Sequence, residues 1–219
     1  MNKKIIVIIL AFIAATITIF TMKDKLLLDN IKFKTEYESL NGKENYVNMN
    51  VDSNNPFVYA KYDEIVNLLK KGTGIIYFGF PECPWCRNAV PVLIDAANEL
   101  GVDKIYYFNA LSMRDKKSLD ENNNIVVEEE GTKEYKQLVE LMYDELPVYE
   151  GLNDNTIKRL YFPTVVFVKD GKIVDMVVGT VDSQKDPHIA LTKVQYNELK
   201  TLYEEGMNKA LDILCDEAC

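Results

Sequence analysis

Gly74-Ile75-Ile76-Tyr77-Phe78-Gly79-Phe80-Pro81-Glu82-Cys83-Pro84-Trp85-Cys86-Arg87 is the stretch that decides the fold. The continuous apolar run at its start predicts a buried strand. Two cysteines at C-x-x-C spacing follow, and then Ala89, Val90, Val92, Leu93, Ala96, Ala97 and Leu100 recur at helical spacing. A strand, a tight turn bearing two thiols and a helix form a redox arrangement. Cys83 falls at the helix N-terminus, where unpaired N–H groups and the positive dipole end favour a thiolate. Pro84 suits the first helical turn because it needs no N–H partner. Cys83 is therefore expected to be the exposed nucleophile and Cys86 the resolving thiol. Arg87 is expected to add positive charge nearby, and an inward-pointing Glu82 would oppose ionisation.

Bulk properties narrow the class. The chain is 219 residues long, which fits one domain with extras. With 47% hydrophobic and 27% charged residues it is ordinary globular protein. A formal net charge of -9 leaves no basic stripe and argues against nucleic acid as a partner. The four cysteines fall as two close pairs, Cys83/Cys86 and Cys215/Cys219. Close pairs point to redox chemistry or metal rather than to a disulfide-stapled miniprotein.

At the N-terminus, Lys3-Lys4 precede an apolar run from Ile5 to Met22. As a helix it would cover roughly 27 Å, enough to span a bilayer core. The run reads as an uncleaved anchor, with a cleaved signal peptide and a buried core helix as the alternatives. Either of the first two places the body outside the cytoplasmic membrane, where disulfides persist. Residues 23–55 are polar and read as a linker, and 56–219 as the folded domain.

Within that domain, Phe57-Val58-Tyr59 is a short strand, and Tyr62, Ile65, Val66, Leu68 and Leu69 mark a helix ended by Gly72. Lys104 to Asn109 is another strand. An insert of about 111–160 follows, with exposed loop at Asn122-Asn123-Asn124 and Glu128-Glu129-Glu130. A helix is expected around Tyr135 to Met142 and a helical turn over Thr156 to Leu160. Two apolar runs around Asp170-Gly171 predict a hairpin, and a last helix carries Leu199, Leu202, Met207, Ala210, Leu211 and Leu214. The fold class is α/β, with a parallel βαβ first half and antiparallel strands from the hairpin.

Cys83-Pro84-Trp85-Cys86, together with Phe162-Pro163-Thr164-Val165-Val166-Phe167-Val168-Lys169-Asp170-Gly171 and Gly179, resembles the thioredoxin-like fold family. The Phe80-Pro81-Glu82-Cys83-Pro84-Trp85-Cys86 start and Leu146-Pro147-Val148-Tyr149 resemble, more narrowly, exported Gram-positive proteins of the bacteriocin-transport accessory type. The resemblance covers roughly residues 57–214 outside much of the insert. It implies a central mixed sheet flanked by helices and a cis-Pro163 facing Cys83. It further implies a protein disulfide substrate that pairs with the Phe162 backbone. Trp85, Phe162 and Thr164 are then substrate-facing, with Trp85 read either as a lid or as a packed aromatic. Two departures stand out. The family's buried acid, six positions before the first cysteine, is here Tyr77, so Glu82 or a water must serve Cys86. Pro84-Trp85 between the cysteines matches neither the reductive nor the oxidising pattern.

Taken together, the sequence predicts an extracytoplasmic thiol–disulfide oxidoreductase, anchored by residues 1–22 or secreted if they are cleaved. It would act on protein or peptide thiols and disulfides, with no cofactor, no metal and a membrane redox partner. The alternative is a non-catalytic accessory protein that binds an exported peptide or transporter. Zinc held by the cysteines is the rival chemistry, and a structural Cys83–Cys86 disulfide the inert one. Cys215 and Cys219, at i, i+4 spacing, are a candidate second dithiol, with a passive disulfide or free thiols as the alternatives. His188, the lone histidine, reads as a surface residue.

Overall fold

The computed structural model describes residues 25–212, so the N-terminal span and the Cys215/Cys219 pair lie outside the described residues. In chain order these form α1 (25–38), β1 (Phe57–Tyr59), α2 (Tyr62–Lys71), β2 (Gly74–Phe78), α3 (Pro84–Glu99) and β3 (Ile105–Phe108). A 3-10 turn (Leu111–Met113), β4 (Lys116–Leu119), β5 (Ile125–Glu129) and α4 (Lys133–Leu141) follow. The chain continues through β6 (Thr164–Lys169), β7 (Lys172–Val178) and α5 (Lys193–Leu211). Among the described residues no helix is long and apolar enough to cross a membrane.

The architecture is α/β: a mixed five-stranded sheet, in the order β1-β3-β2-β6-β7, flanked by helices. β1 and β2 each pair in parallel with β3, while β6 runs antiparallel to both β2 and β7. β3, β2 and β6 are the inner strands, and the near-continuous apolar sequences of β2 and β6 match burial on both faces. Side chains alternate along these strands, and Ile75 pairs with Phe167 as Tyr77 pairs with Val165. These four residues share one face. α5 packs there so closely that a Cβ on Gly206 would lie 2.4 Å from the Phe167 ring.

Local chemistry explains the element ends. In α2, Asp63 and Glu64 occupy the first turn and Lys70 and Lys71 the last, the charge order the helix dipole favours. α3 starts at a Cys83 cap followed by Pro84. It stops where Gly101 takes φ +67° and Val102 N–H donates to the Ala97 carbonyl at 2.8 Å, a Schellman-type closure. Asp170 and Gly171 both have positive φ, which suits the tight β6–β7 turn.

The chain before β1 differs from the spacer expected over 23–55. α1 buries Phe33 and Tyr37 completely, and Met49 and Val51 join the same core. Phe33 stacks between Tyr37 and Phe57, with ring centroids 4.4 and 3.9 Å apart. Arg87 of α3 is the second tie. Its guanidinium donates to the carbonyls of Val47 (2.8 Å), Tyr37 (2.7 Å) and Pro81 (3.4 Å) and to Asn41 Oδ1 (2.9 Å). Polar composition masked this role, because the apolar residues of α1 are few and their partners are distant in sequence.

The insert also differs in part. Glu128 and Glu129 belong to β5, which pairs with β4 in a separate two-stranded sheet. The turn between these strands is tied by Asp120, whose carboxylate accepts from the N–H groups of Asn122 and Asn124. Thr156 to Leu160 is not helical and instead makes an isolated bridge between Val148 and Lys158. α4 occurs where expected, and buried Tyr135 and Leu138 hold it to the core.

Replacing Phe33 with Ala is expected to cost about 3–5 kcal/mol of stability, whereas Leu28→Ala, on an exposed side chain, should stay within about 0.5 kcal/mol. Urea midpoints of the two variants check this.

Candidate functional site

Pairing of Phe78 with Thr164 sets the C-terminal end of β2 beside the N-terminal end of β6. The chain leaving β2 carries Cys83 and Cys86, and the chain entering β6 carries Phe162 and Pro163. These two segments meet. The Phe162–Pro163 peptide is cis. The Cys83 thiol donates to the Phe162 carbonyl at 3.5 Å and accepts from the Cys86 N–H at 3.2 Å. Gly179 N–H donates to the Pro163 carbonyl at 2.8 Å, which fixes the same loop to the end of β7. Thr164 is buried, and its hydroxyl donates to the Tyr161 carbonyl at 2.9 Å.

Cys83, Cys86, Phe162 and Pro163 are thus brought together as the sequence suggested. Several details differ from expectation. Cys83 is buried, at 5% exposure, rather than open to solvent. Thr164 closes the Tyr161 turn and faces inward rather than toward a substrate. Trp85 is half-buried and lines a groove of roughly 400 Å³ with Pro147, Tyr161, Phe162, Val178 and Gly179. Glu82 is exposed. Arg87 makes its four hydrogen bonds to the N-terminal segment and the Pro81 carbonyl, not to the sulfurs.

The two thiols are driven apart electrostatically. A hydrogen bond from Cys86 holds the Cys83 thiol below its ordinary value, helped by the backbone N–H groups of Cys86 and Trp85 and by the positive charge of Arg114. Burial opposes this shift without cancelling it. Burial pushes the Cys86 thiol well up, and its hydrogen bond to Cys83 adds to that. The outer sulfur therefore ionises first.

Arg114 is a site residue that sequence reading missed. It follows the 3-10 turn after β3, and its guanidinium carbon lies 5.0 Å from the centroid of the Phe162 ring. The available signal was positional: chain leaving the C-terminal end of a parallel strand is where α/β proteins gather binding groups. Arg159 stacks next to it, 4.1 Å from the Tyr149 ring. Burial, with the Arg159 charge adding, lowers the Arg114 value.

No protein-family model matches this chain, and no curated protein compared with it matches in sequence.

Alkylation of Cys83 by iodoacetamide should persist at pH values below the ordinary thiol range and fade as pH drops through its lowered value. Arg114→Gln is expected to slow the reaction at pH 6 by about two- to fivefold. Cys86 should remain unmodified until well above pH 9, since it stays protonated. Mass spectrometry of the labelled sites against pH reads both effects.

Proposed function

We propose that the chain is a thiol–disulfide oxidoreductase of thioredoxin-like fold that acts on protein or peptide disulfides through Cys83 and Cys86. The observation that carries this reading is the Cys83 sulfur at the start of α3, favoured as a thiolate and set against the cis Phe162–Pro163 segment. The residue pattern supports the narrower resemblance to exported accessory proteins, and the apolar run at 5–22 supports an extracytoplasmic, membrane-anchored location. The candidate second dithiol, Cys215/Cys219, and a membrane redox partner belong to the same proposal.

In the reductive direction the Cys83 thiolate attacks one sulfur of the substrate disulfide. A Cys83–substrate disulfide forms and the first substrate thiolate leaves, taking a proton from solvent. Cys86 then attacks Cys83, forming the internal disulfide and expelling the second substrate thiol. Two electrons pass from the dithiol to the substrate. Oxidation of a substrate dithiol is the same sequence reversed. The groove lined by Trp85, Tyr161 and Phe162 gives an extended peptide apolar contacts beside the sulfur.

Burial of Cys83 favours a second reading, in which the groove binds an exported peptide and the dithiol is incidental. The two separate cleanly. Cys86→Ser is expected to accumulate a mixed disulfide through Cys83 with a peptide disulfide, and Cys83→Ser to lose turnover of that peptide to background. A Cys83→Ser protein that turns over at the wild-type rate, or a Cys86→Ser protein that binds peptide without trapping it, would refute the enzymatic reading.

A further inference from the structure

The chain has three arginines, and Arg87 is bonded to the N-terminal segment. The other two meet beside the dithiol. The Arg114 guanidinium lies over the ring of Phe162, 5.0 Å from its centroid, and the carbonyl of that same residue accepts from the Cys83 thiol. Arg159 lies over Tyr149 and, at 5.5 Å, over Tyr161. Its Nη2 donates to the carbonyl of Asp115, the residue after Arg114, at 3.5 Å. Two half-buried positive charges are thus held side by side.

No acidic side chain of the neighbourhood matches them. Among the described residues the Arg114 guanidinium makes no hydrogen bond and no ion pair. The long bond to Asp115 is the only one that the Arg159 guanidinium makes, and its buried Nε has no partner. The Asp115 carboxylate is paired instead with Lys117, at 2.7 Å. Glu150 and Asp182 line the groove beside Trp85, but neither forms an ion pair with either arginine. Charges left unmatched in partly buried surroundings are unfavourable, and a guanidinium with open donors fits a carboxylate through two parallel N–H bonds. Tyr161 and Phe162, the rings beneath the arginines, also form the groove wall with Trp85. A peptide extended along that wall, with its disulfide at Cys83, carries neighbouring side chains past Arg114.

Resting on the thiol-exchange reading above, we propose that Arg114, with Arg159 beside it, receives the side-chain carboxylate of an Asp or Glu close to the disulfide cysteine of the substrate. Arg114 is the contact residue and sets the preference. Arg159 adds a second positive charge behind it. The chain's formal net charge of -9 opposes acidic peptides at long range, so the preference arises from direct pairing at this one place.

Two disulfide-bridged peptides, blocked at both termini and carrying either Glu or Gln on both sides of each cysteine, test this on the full chain with dithiothreitol as electron donor. The readout is the ratio of kcat/KM for the Glu peptide to that for the Gln peptide. The Arg114 charge also favours the Cys83 thiolate, but that effect acts on both peptides alike and cancels in the ratio. Wild type is expected to favour the Glu peptide by about tenfold. Arg114→Gln should bring the ratio to about one or below, and Arg114→Lys, which keeps the charge but loses the planar fork, to about three. Arg159→Gln should lower it by about two- to threefold. Lys70→Gln removes a positive charge beside the β6–β7 turn, at the other end of the sheet, and should leave the ratio unchanged.

A wild-type ratio of one or less, or a wild-type ratio retained in Arg114→Gln, overturns the proposal and leaves the exchange reading standing. An equal loss in Lys70→Gln overturns it too, because it reports a long-range field and not a contact. If Arg114→Gln does not fold, Arg114→Lys decides, and an unchanged ratio there counts against the contact. Turnover of neither peptide by wild type refutes the exchange reading, and this proposal with it.

Discussion

β2 sits between a parallel neighbour and an antiparallel one, and that single constraint organises the site. Pairing with β3 in parallel requires a crossover, which α3 provides, so the chain must turn at the C-terminal end of β2. Pairing with β6 in the opposite sense brings the start of β6 to the same end. Phe78 opposite Thr164 is the register that results. The cysteine turn and the Phe162–Pro163 segment, 79 residues apart along the Cys83–Phe162 contact, meet there because the sheet leaves them no other place. A slip of one residue would invert every side chain of β6 and move the buried Val165 and Phe167 to the wrong face.

The second layer of control comes from the chain before β1. Arg87 immediately follows the dithiol, and burial of a guanidinium requires that its donors be satisfied. Four of the five are met by Val47, Tyr37, Asn41 and Pro81, and the first three of these acceptors lie outside the sheet and its crossovers. Asn41 in turn exchanges two bonds with the backbone of Met49, at 2.6 and 2.9 Å. The first turn of α3 is therefore anchored to the N-terminal segment as firmly as to its own strand. The stack of Phe33 on Phe57 closes the same unit from the apolar side. Neither tie is local, and both are lost together if the segment is displaced.

Electrostatics then divides two chemically identical thiols. Cys83 takes the donors at the open end of the helix and the charge of Arg114, while Cys86 lies inward among apolar and phenolic groups. The same helix end that stabilises one thiolate leaves the other dependent on whatever donor the core supplies. A fully buried thiol one turn inside the helix keeps its proton unless a polar group of the core meets its charge.

By itself the sequence determined the elements whose period is local: the buried runs of β2, β3 and β6, the Asp170-Gly171 hairpin, the apolar faces of α2 and α3, and the placement of Cys83 at a helix start. From these the α/β class and a mixed sheet follow. The tertiary structure alone decided that α1 is core rather than spacer, that Arg87 faces away from the thiols, that Arg114 approaches them, and that Cys83 is covered. Each of these depends on a partner distant in the sequence, as Phe57 is for Phe33 and Phe162 for Cys83, or on which side of an element a long side chain turns. Periodicity reports which face is apolar, but it carries no information about what that face will meet. A lone Tyr37 in a polar stretch has no period at all, and its meaning arises only when Tyr77 is packed against it.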